Sequence, residues 1–319
     1  MTNGWTTERM PALDGRTVVV TGANSGVGFE ASRALASEGA HVVMACRSVE
    51  RGDDAAARIR DDDPRGSVEV SELDLADLSS VESFAEGFEA DHDELHVLCN
   101  NAGVMAIPRS ETEDGFETQF GVNHLGHFAL TGHLLDSLRE TPGEARVVTQ
   151  SSGVHERGDI NFDDLHGEHS YDEWGAYAQS KLANVLFAYE LQRRLDASDW
   201  DVASLACHPG YADTNLQRRG PELADSTVRL WGAKAANALL AQSAEKGALP
   251  MLYAATVPNV DGGEYVGPGG LLNMRGPPEV QRSSDRSYDR DLAERLWSVS
   301  EDLTGVRYDL EAAIPAESG

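Results

Sequence analysis

Short apolar runs alternate with longer amphipathic stretches along most of the chain. Runs rich in Val, Leu or Ala end at turn residues and predict strands at 17–21, 41–46, 67–73, 96–100, 146–151 and 202–207. Between them, apolar residues recur at helical spacing at 27–38, 51–60, 80–89, about 118–140, and 173–195. Near-continuous apolar strands that alternate with helices predict a parallel sheet covered on both faces, which is a doubly wound, Rossmann-type α/β fold.

The remaining segments read as additions to this fold rather than as a second domain. No linker, repeat or low-complexity stretch divides the chain. We therefore expect one nucleotide-binding Rossmann domain over 1–319, with its core at about 14–267 and a C-terminal extension at about 268–312 that contains a helix near 288–300. A polar stretch rich in Asp and His, residues 153–171, is a further addition.

The charge of the chain is strongly negative. Asp and Glu number 54 against 26 Lys and Arg, for a net charge of −28, and the acidic residues are spread along the sequence. A field of this sign repels phosphate backbones, so we expect no nucleic-acid partner. We interpret the surplus as adaptation to a halophilic, high-salt cytoplasm, where salt screens the repulsion; an acidic protein of a low-salt cell is the alternative.

The cysteines and the hydropathy pattern favour a cytoplasmic protein. Cys46, Cys99 and Cys207 lie at or near strand ends and form no CxxC pair, so buried thiols are expected rather than disulfides or metal ligands. No apolar stretch is long enough to span a bilayer, and residues 1–16 lack the apolar centre of a secretory signal. We therefore expect a cytoplasmic location without a membrane anchor.

A glycine-rich turn joins the first predicted strand to the first helix. Residues 21–28 read Thr-Gly-Ala-Asn-Ser-Gly-Val-Gly, so Gly22, Gly26 and Gly28 have a G-x-x-x-G-x-G spacing. Glycines allow a tight turn and let a pyrophosphate approach the helix N-terminus, where free N–H groups and the helix dipole favour an anion. The turn predicts a dinucleotide phosphate loop, with a plain strand–helix turn as the alternative.

The residue after the second predicted strand bears on which dinucleotide binds. Rossmann units often carry an acidic residue about 20 positions after the glycines, where it holds a ribose 2′-hydroxyl. Arg47 stands at this place. Because a guanidinium pairs with a 2′-phosphate that a carboxylate would repel, we expect NADP(H) rather than NAD(H), unless Arg47 is simply a surface arginine.

Tyr177 and Lys181 form a candidate proton-transfer pair. They are four positions apart in the predicted helix 173–195 and so share one helix face. A nearby ammonium favours the phenolate and lowers the pKa of a tyrosine from its usual value of about 10, which suits proton transfer near neutrality. Lys181 is notable because the chain has only two other lysines, Lys234 and Lys246.

Together with six further motifs, this pair makes the chain resemble the short-chain dehydrogenases/reductases over nearly its whole length. The motifs are TGANSGVG at 21–28, Asp74-Leu75, NNAG at 100–103, Asn123, Ser151-Ser152, Tyr177 with Lys181, and Pro209-Gly210. The resemblance implies an oxidoreductase that moves a hydride between a nicotinamide cofactor and the carbonyl or alcohol carbon of a small molecule.

The resemblance also implies catalytic roles. Tyr177 would be the general acid in reduction and the base in oxidation, and Lys181 would lower its pKa and hold the nicotinamide ribose. Ser152 would steady the substrate oxygen. Asn123 would bend its helix and hold a water that links Lys181 to solvent. Since only one of two adjacent serines can face the cleft from a strand end, Ser151 is the alternative to Ser152.

Cofactor contacts implied by the family come from several segments. Asp74 is expected at the adenine amino group, and Pro209, Gly210 and Thr214 at the nicotinamide. The complete expected set is Gly22, Asn24, Ser25, Gly26, Val27, Gly28, Arg47, Asp74, Leu75, Asn101, Ala102, Gly103, Tyr177, Lys181, Pro209, Gly210 and Thr214. Of these, Asn101 and the Ala102-Gly103 turn would lie beside the adenosine ribose.

Three features resemble the retinol dehydrogenase-like branch of this family. They are Ala-Cys-Arg at 45–47, the 25 positions between Ser152 and Tyr177, and Arg-Leu-Trp-Ser-Val-Ser at 295–300. That branch implies NADP(H) and apolar aldehydes, alcohols or ketones. Many of its members carry an N-terminal membrane anchor, which this sequence does not show, and this weighs against retinoid itself as the substrate.

Two other functions occur on related chains. A nucleotide-binding regulatory protein that has lost the chemistry would usually lack one of Asn123, Ser152, Tyr177 and Lys181, and all four are present. A sugar-nucleotide epimerase or dehydratase usually has another glycine spacing and a larger C-terminal substrate domain. Both stay as alternatives to an active dehydrogenase.

Several histidines and apolar segments are open to more than one interpretation. His155, His166 and His169 match no common helical metal pair, so a solvated loop is expected at 153–171 and no metal site. His124 and His127 are expected to pack against neighbouring helices.

The quaternary structure is also open. Helices 118–140 and 173–195 build a dimer or tetramer bundle in many relatives, so a homodimer or homotetramer is one expectation. The segment 216–240, a substrate lid in the family, is expected either to line the pocket or to pack as core.

Overall fold

The apolar runs of the sequence form the strands of an eight-stranded sheet in a computed structural model that describes residues 4–198, 200–210, 243–258, 260–270 and 273–310. The strands are β1 (Thr17–Thr21), β2 (His41–Cys46), β3 (Ser67–Glu72), β4 (Val97–Asn100), β5 (Ala145–Gln150), β6 (Val202–Cys207), β7 (Tyr265–Pro268) and β8 (Pro278–Gln281). Their order is β3-β2-β1-β4-β5-β6-β7-β8. All neighbours are parallel except β7 and β8, and the predicted doubly wound fold is confirmed.

Helices cover both faces of this sheet. They are α1 (Gly26–Ser37), α2 (Val49–Asp61), α3 (Leu78–Asp91), α4 (Thr118–Phe120), α5 (Gly126–His133), α6 (Leu135–Glu140), α7 (Glu173–Leu195), α8 (Ala244–Thr256) and α9 (Arg290–Thr304). One apolar core lies between the sheet and α1, α2 and α8, and the other lies under α3, α5, α7 and α9. Aspartates begin three of these helices: Asp77, Asp172 and Asp289 each accept backbone N–H bonds from the first turn.

The strand order places a crevice at the centre of the sheet. From β1 the chain first builds outward through β2 and β3, and then returns to the other side of β1 with β4. Connections leave β1 and β4 in opposite directions, so a gap opens at the carboxyl ends of these two strands, where ligands of doubly wound sheets bind.

The predicted helix over 118–140 is wrong as one continuous helix. The structure divides it into α4, a wide π turn at Gly121–Leu125, α5 and α6. Asn123 lies within the π turn, and its side chain bonds to the backbone of Val104 rather than to its own helix. The side chain of His127 does bond to the backbone of this turn, since its Nδ1 lies 3.1 Å from Asn123 O, and such an insertion into the helix ladder is a common cause of local distortion.

Three elements were not predicted from the sequence, namely α8, β7 and β8. Helix α8 contains Pro250, which removes one backbone hydrogen bond and disguises the helical pattern. Both strands are four residues long and contain Pro, so they lack an alternating apolar pattern.

Part of the C-terminal extension covers helices α5 and α7. The indole of Trp297 stacks on Phe187 of α7, with ring centroids 5.8 Å apart. The hydroxyl of Tyr308 donates to the carbonyl of Phe128 in α5 at 2.6 Å. The chain's own C-terminal residues therefore cover part of the surface of α5 and α7.

The predictions for the cysteines and for His124 are confirmed, whereas the Nε2 of His127 lies 2.9 Å from Thr21 Oγ1 of strand β1 rather than against a neighbouring helix. All three cysteines are free and buried, and burial raises the pKa of Cys46 to about 11 and that of Cys99 to about 12. His124 bonds to Ser300 of α9 at 2.8 Å, and burial lowers the pKa of both His124 and His127 to about 3. No helix in the described ranges combines the length and the apolar character that a membrane span requires.

Candidate active site

A cavity opens at the carboxyl ends of β1 and β4, at the crevice that the strand order creates. Every predicted cofactor residue lines it except Gly210 and Thr214, and Thr214 lies outside the described residues. Further lining residues that the sequence analysis did not single out are Thr21, Ala45, Ser48, Arg51, Leu73, Ala76, Val104, Thr118, Val122 and Gln150. The cavity therefore joins the glycine turn to the Tyr177–Lys181 pair.

The backbone of the glycine turn disfavours side chains at its glycine positions. Gly22 and Gly26 have φ of +67° and +58°, a region that favours glycine. A Cβ on Gly28 would lie 2.5 Å from Asn101 Nδ2 and 2.6 Å from Gly22 O, so no side chain fits there. Ser25 makes no side-chain cap to α1, which leaves the N–H groups of the first helical turn available to an anion.

Asn101 fastens the ends of three strands. Its Nδ2 donates to Thr21 O at 2.7 Å, and its Oδ1 accepts from Gln150 Nε2 at 3.0 Å. Backbone N–H groups of Asn101 and Ala102 both donate to Thr21 Oγ1 at 2.9 Å. Asn101 lines the cavity as expected, but its polar atoms bond to the protein, so it shapes the cavity wall. Thr21 and Gln150 could have been suspected as polar residues at the ends of apolar strands.

Asn123 plays a similar part beside the lysine. Its Oδ1 accepts from Val104 N at 2.8 Å, and its Nδ2 donates to Val104 O and to Ser180 Oγ, both at 2.9 Å. A Cβ on Gly103 would lie 2.9 Å from Asn123 Oδ1 and 3.5 Å from Lys181 Nζ, so glycine is needed for this close approach. Asn123 lies in the π turn, and both roles that the resemblance implies for it, the bend of the helix and the bound water, stay predictions.

Tyr177 and Lys181 lie in the first half of α7, and both are almost fully buried. Lys181 Nζ donates to Gln150 O at 3.1 Å and lies 5.9 Å from the centroid of the Tyr177 ring. The helix phase therefore brings both side chains to the same cavity, as the spacing predicted.

The protonation of this pair differs from the expectation. Burial raises the pKa of Tyr177 to about 12, and a hydrogen bond with Ser152 counteracts this in part. Burial also lowers the pKa of Lys181 to about 8. The expected lowering of the tyrosine pKa by Lys181 is not present in the protein alone, because loss of hydration penalises both the phenolate and the ammonium.

The two adjacent serines have different partners. Ser151 is buried, and its hydroxyl donates to the carbonyl of Lys181 at 2.7 Å. Ser152 is part-buried, and its hydroxyl shares a hydrogen bond with the Tyr177 hydroxyl. Ser151 lines the cavity and Ser152 is not among its described lining residues, but the hydrogen bond with Tyr177 belongs to Ser152.

The sequence of the chain matches one family over most of its length. Residues 16–222 match the short chain dehydrogenase family. The protein is a short-chain dehydrogenase. It is 43% identical to retinol dehydrogenase 12 of Homo sapiens over 301 residues, which cover 93% of this chain and 89% of that protein. It is 42% identical to the polyprenol dehydrogenase of Mus musculus over 302 residues, which cover 93% of this chain and 86% of that protein.

Solved structures agree with this assignment. An uncharacterized protein from Mycobacterium paratuberculosis shares the fold with a TM-score of 0.79 and 43% identity, covering 96% of this chain and 99% of that one. An NAD(P)-dependent gluconate 5-dehydrogenase from Beutenbergia cavernae, solved with NADP, gives a TM-score of 0.59 at 28% identity, covering 77% and 91%. The protein belongs to the retinol dehydrogenase-like branch and is an oxidoreductase that acts on CH–OH donors.

Two arginines line the part of the cavity that follows strand β2 in this dehydrogenase. Arg47 follows β2, and Arg51 lies in the first turn of α2, which Ser48 caps by accepting from the Arg51 N–H. Both side chains are exposed. In a chain with a net charge of −28, the charged residues that line this cavity are mostly basic, namely Arg47, Arg51 and Lys181 against Asp74. Arg47 was predicted from the sequence as a cofactor residue and Arg51 was not, although its spacing from Ser48 places Arg51 in the first turn of α2.

Asp74 and Gly210 contribute to the cavity in different ways. Asp74 lines it and accepts from Ala76 N at 3.0 Å, which fixes the turn after β3. Gly210 has φ +65°, and a Cβ there would lie 2.5 Å from Met274 O and 2.7 Å from Pro268 Cγ. Gly210 is thus required by packing against the segment after β7, and only its neighbour Pro209 lines the cavity.

Residues 153–171 form a packed loop beside α7. Ile160 lies in an apolar cluster with Leu182 and Leu186 of that helix. The hydroxyl of Tyr171 contacts Glu117 Oε1 at 2.9 Å, and burial raises the pKa of Glu117. No residue of this loop lines the cofactor cavity within the described part of the chain.

Proposed function

We propose that this short-chain dehydrogenase uses NADP(H) to interconvert a carbonyl and an alcohol on an apolar small molecule. One observation carries the proposal. The glycine turn, the Arg47–Arg51 pair and the buried Tyr177–Lys181 pair all line the same cavity. The family supplies the coarser statement, a nicotinamide-linked oxidoreductase for carbonyl and alcohol groups.

Tyr177 is proposed as the proton donor in reduction and the proton acceptor in oxidation. With a pKa near 12, the phenol keeps its proton at neutral pH and can give it to a carbonyl oxygen. The bound nicotinamide would supply the hydride to the carbonyl carbon or remove it from the alcohol carbon. Because the Ser152 hydroxyl lies against the Tyr177 hydroxyl, both can hold the same substrate oxygen as negative charge develops on it.

Lys181 and Asn123 are proposed to support the proton transfer. The pKa of Lys181, about 8, keeps its ammonium largely charged below that pH, where it favours the phenolate that oxidation requires. Asn123 fixes the Val104 segment against which Lys181 and Gly103 pack, and it holds the water that would link Lys181 to solvent.

The preference for NADP(H) rests on the two exposed arginines at the adenosine end of the cavity. Guanidinium groups bind a phosphate with charge-assisted, paired hydrogen bonds, while a 2′-hydroxyl would leave both charges without this partner. Asp74, at the next strand end, is proposed to bind the adenine amino group.

An exposed aromatic residue supports an apolar substrate. Trp174 lies less than one helical turn before Tyr177, is 50% exposed, and meets the Tyr177 ring edge to face with centroids 6.1 Å apart. An indole left in water beside the reactive phenol suits contact with an apolar chain. The names of the two relatives, retinol and polyprenol dehydrogenase, point to the same class. Segment 216–240 with its Trp231, the expected lid, lies outside the described residues.

The test is a fluorescence titration of the purified protein with NADPH and NADH, followed by a screen of aldehydes and ketones of increasing chain length. Tight NADPH binding, weak NADH binding and turnover that improves with chain length are expected. Preference for NADH would refute the role of the arginines. Binding of neither dinucleotide would refute the proposal, and NADPH binding without turnover of any carbonyl would favour the nucleotide-binding regulatory alternative or the epimerase alternative.

We propose further that the protein acts in the cytoplasm, without a nucleic-acid partner and as one Rossmann domain. The free, buried cysteines support the cytoplasmic location, and the acid surplus supports a high-salt cell. A free energy of unfolding that does not rise between low and molar salt would contradict the adaptation to high salt. A homodimer or homotetramer, if formed, would use a surface other than the face covered by Trp297 and Tyr308. Light scattering on the full chain and on Trp297→Ala tests this, because an oligomer that uses another surface should have the same mass in both proteins, and a change of mass in the variant would contradict the proposal.

A further inference from the structure

Two histidines and a glutamate meet at the amino-terminal edge of the sheet, far from the cofactor cavity. His41 begins β2, Glu69 belongs to the edge strand β3, and His92 is the residue that ends α3. Their nearest ligand atoms all lie within 4.8 Å of one another. Since β2 runs from His41 to Cys46, this cluster lies about 16 Å from the strand end that precedes Arg47.

The fold brings these three side chains to the same face of the sheet. Val43 pairs with Glu69 across the parallel strands, so Glu69 shares a face with Val43 and, two residues earlier, His41. Val43 lies in the same core as Phe88 of α3, and the ring of His92 lies 4.7 Å from that of Phe88. Helix α3 therefore ends directly over the β2–β3 edge.

Each carboxylate oxygen of Glu69 faces a different imidazole. His92 Nε2 lies 2.8 Å from Oε1, and His41 Nε2 lies 3.7 Å from Oε2. Ligand atoms of a tetrahedral zinc site lie about 3.4 Å apart, because each is about 2.1 Å from the metal. Small side-chain rotations would therefore convert the present spacing into a metal-binding one.

The second nitrogen of His41 already has the partner that metal-bound histidines use. Its Nδ1 lies 2.7 Å from the hydroxyl of Ser67 at the start of β3. When Nδ1–H donates to Ser67, the lone pair of Nε2 points toward Glu69, which is the outer-shell arrangement that orients a ligand imidazole.

The electrostatic surroundings favour a cation. The carboxyl end of α3, a helix of 14 residues without a basic side chain in its last turn, meets the cluster at His92. The side chains of His41, Glu69 and His92 are 32%, 44% and 15% exposed, so an ion can enter from solvent.

We propose that His41, Glu69 and His92 bind one Zn²⁺ ion, with Ser67 as the outer-shell partner of His41 and water completing the coordination. Two imidazoles and one carboxylate are a donor set that zinc takes with a fourth position open to water. The ion would tie β2, β3 and the end of α3 together and would take no part in hydride transfer, because it lies at the opposite end of the sheet.

The first test is titration of the full-length, metal-free protein with Co²⁺, a spectroscopic substitute for Zn²⁺, in sodium sulfate so that chloride does not compete. We expect saturation at one ion per chain and visible bands of cobalt without thiolate charge-transfer bands. Absence of saturable binding, or thiolate bands that reveal the cysteines as ligands, would overturn the proposal.

The second test combines variants with thermal unfolding in Zn²⁺. Zn²⁺ should raise the Tm of the wild type, whereas binding to cysteines exposed on unfolding would lower it. His41→Gln, Glu69→Gln and His92→Gln should abolish this rise, and Ser67→Ala should weaken affinity on the order of tenfold. His169→Gln is the matched control, since His169 pairs with a single carboxylate, Asp164, at 3.4 Å. NADPH binding reports that each variant is folded. Equal Tm shifts in the wild type and the His41 and His92 variants would refute the site.

Discussion

Helix α7 has two regions that differ in what they bury. Its first half buries Tyr177 and Lys181 beside the cavity, and burial shifts the pKa of each away from the charged form. Its second half buries Phe187 against Trp297 and Phe128, with centroid distances of 5.8 and 5.6 Å. Burial of the candidate catalytic pair in the first half therefore lowers the free energy of unfolding. The apolar contacts of the second half raise it and offset this loss.

The largest effect is expected at the phenol. Tyr177→Phe should lower kcat by about 10²–10⁴-fold, because it removes the proton donor while the ring and its packing remain. The free energy of unfolding should change little. Steady-state kinetics and urea unfolding measure the two quantities.

Tyr189→Phe is the control for this variant, since Tyr189 is a buried tyrosine of the same helix whose hydroxyl contacts Ser283 at 2.7 Å. It should keep kcat. Equal losses in the two variants would mean that Tyr177 acts through packing alone.

The second effect is expected in the aromatic half. Trp297→Ala should lower the free energy of unfolding by about 3–5 kcal/mol, because the indole is 2% exposed and fills the core under α9. Its contacts with Arg194, at 4.3 Å from the ring, and Glu301 are lost as well. Unfolding in urea gives the change, and kcat of the folded fraction should stay near the wild-type value.

Trp174→Ala is the matched control for the tryptophan. Since Trp174 is half exposed, its loss should change stability little but should weaken the preference for long-chain aldehydes. A similar loss of unfolding free energy in Trp297→Ala and Trp174→Ala would contradict the inferred difference between the two halves of α7.

A third effect should stabilise the protein. Lys181→Met removes an ammonium whose pKa is lowered to about 8 by burial, and should raise the free energy of unfolding on the order of 1–3 kcal/mol at neutral pH. The carbonyl of Gln150 keeps a hydrogen bond from Asn184 Nδ2 at 3.0 Å. Activity should fall strongly in the same variant.

The free energy of unfolding should also depend on pH through the protonation of Lys181. Between about pH 8 and the ordinary lysine pKa of 10.5, the unfolded chain holds a proton that folded Lys181 has lost. Stability of the wild type should therefore gain from this group as pH rises through that window, and Lys181→Met should lack this gain. Parallel pH profiles for the two proteins would show that the ammonium is not penalised by burial.

The smallest effect is expected at the exposed arginines. Arg47→Ser should raise the KM for NADPH by about tenfold, through loss of a charge-assisted hydrogen bond, and leave the KM for NADH unchanged. Arg51→Ser should act in the same direction. Arg65→Ser, at an exposed arginine paired with Asp14 and outside the cavity, is the control and should change neither value.

Much of the fold was readable from local patterns, and the exceptions have physical causes. The continuous apolar strands and the amphipathic helix at 173–195 predicted the sheet and α7, because burial on both faces leaves a strong pattern. Helix α8 with its internal proline and the short strands β7 and β8 were missed, since each depends on contacts with distant residues rather than on a local pattern. At Asn123 the family resemblance implied a bend and not the π turn that is observed.

The sequence alone determined the local parts of the candidate site, because glycine turns and helix spacing act over a few residues. Gly28 and the four-residue spacing of Tyr177 and Lys181 are examples of this local control. Tertiary structure decided the electrostatic state of that site: burial raises the tyrosine pKa where the sequence suggested a lowered one. It also decided which serine contacts Tyr177, and it placed His41 beside Glu69 and His92. Desolvation and cross-strand contact depend on residues far apart in the chain, and no local pattern encodes them.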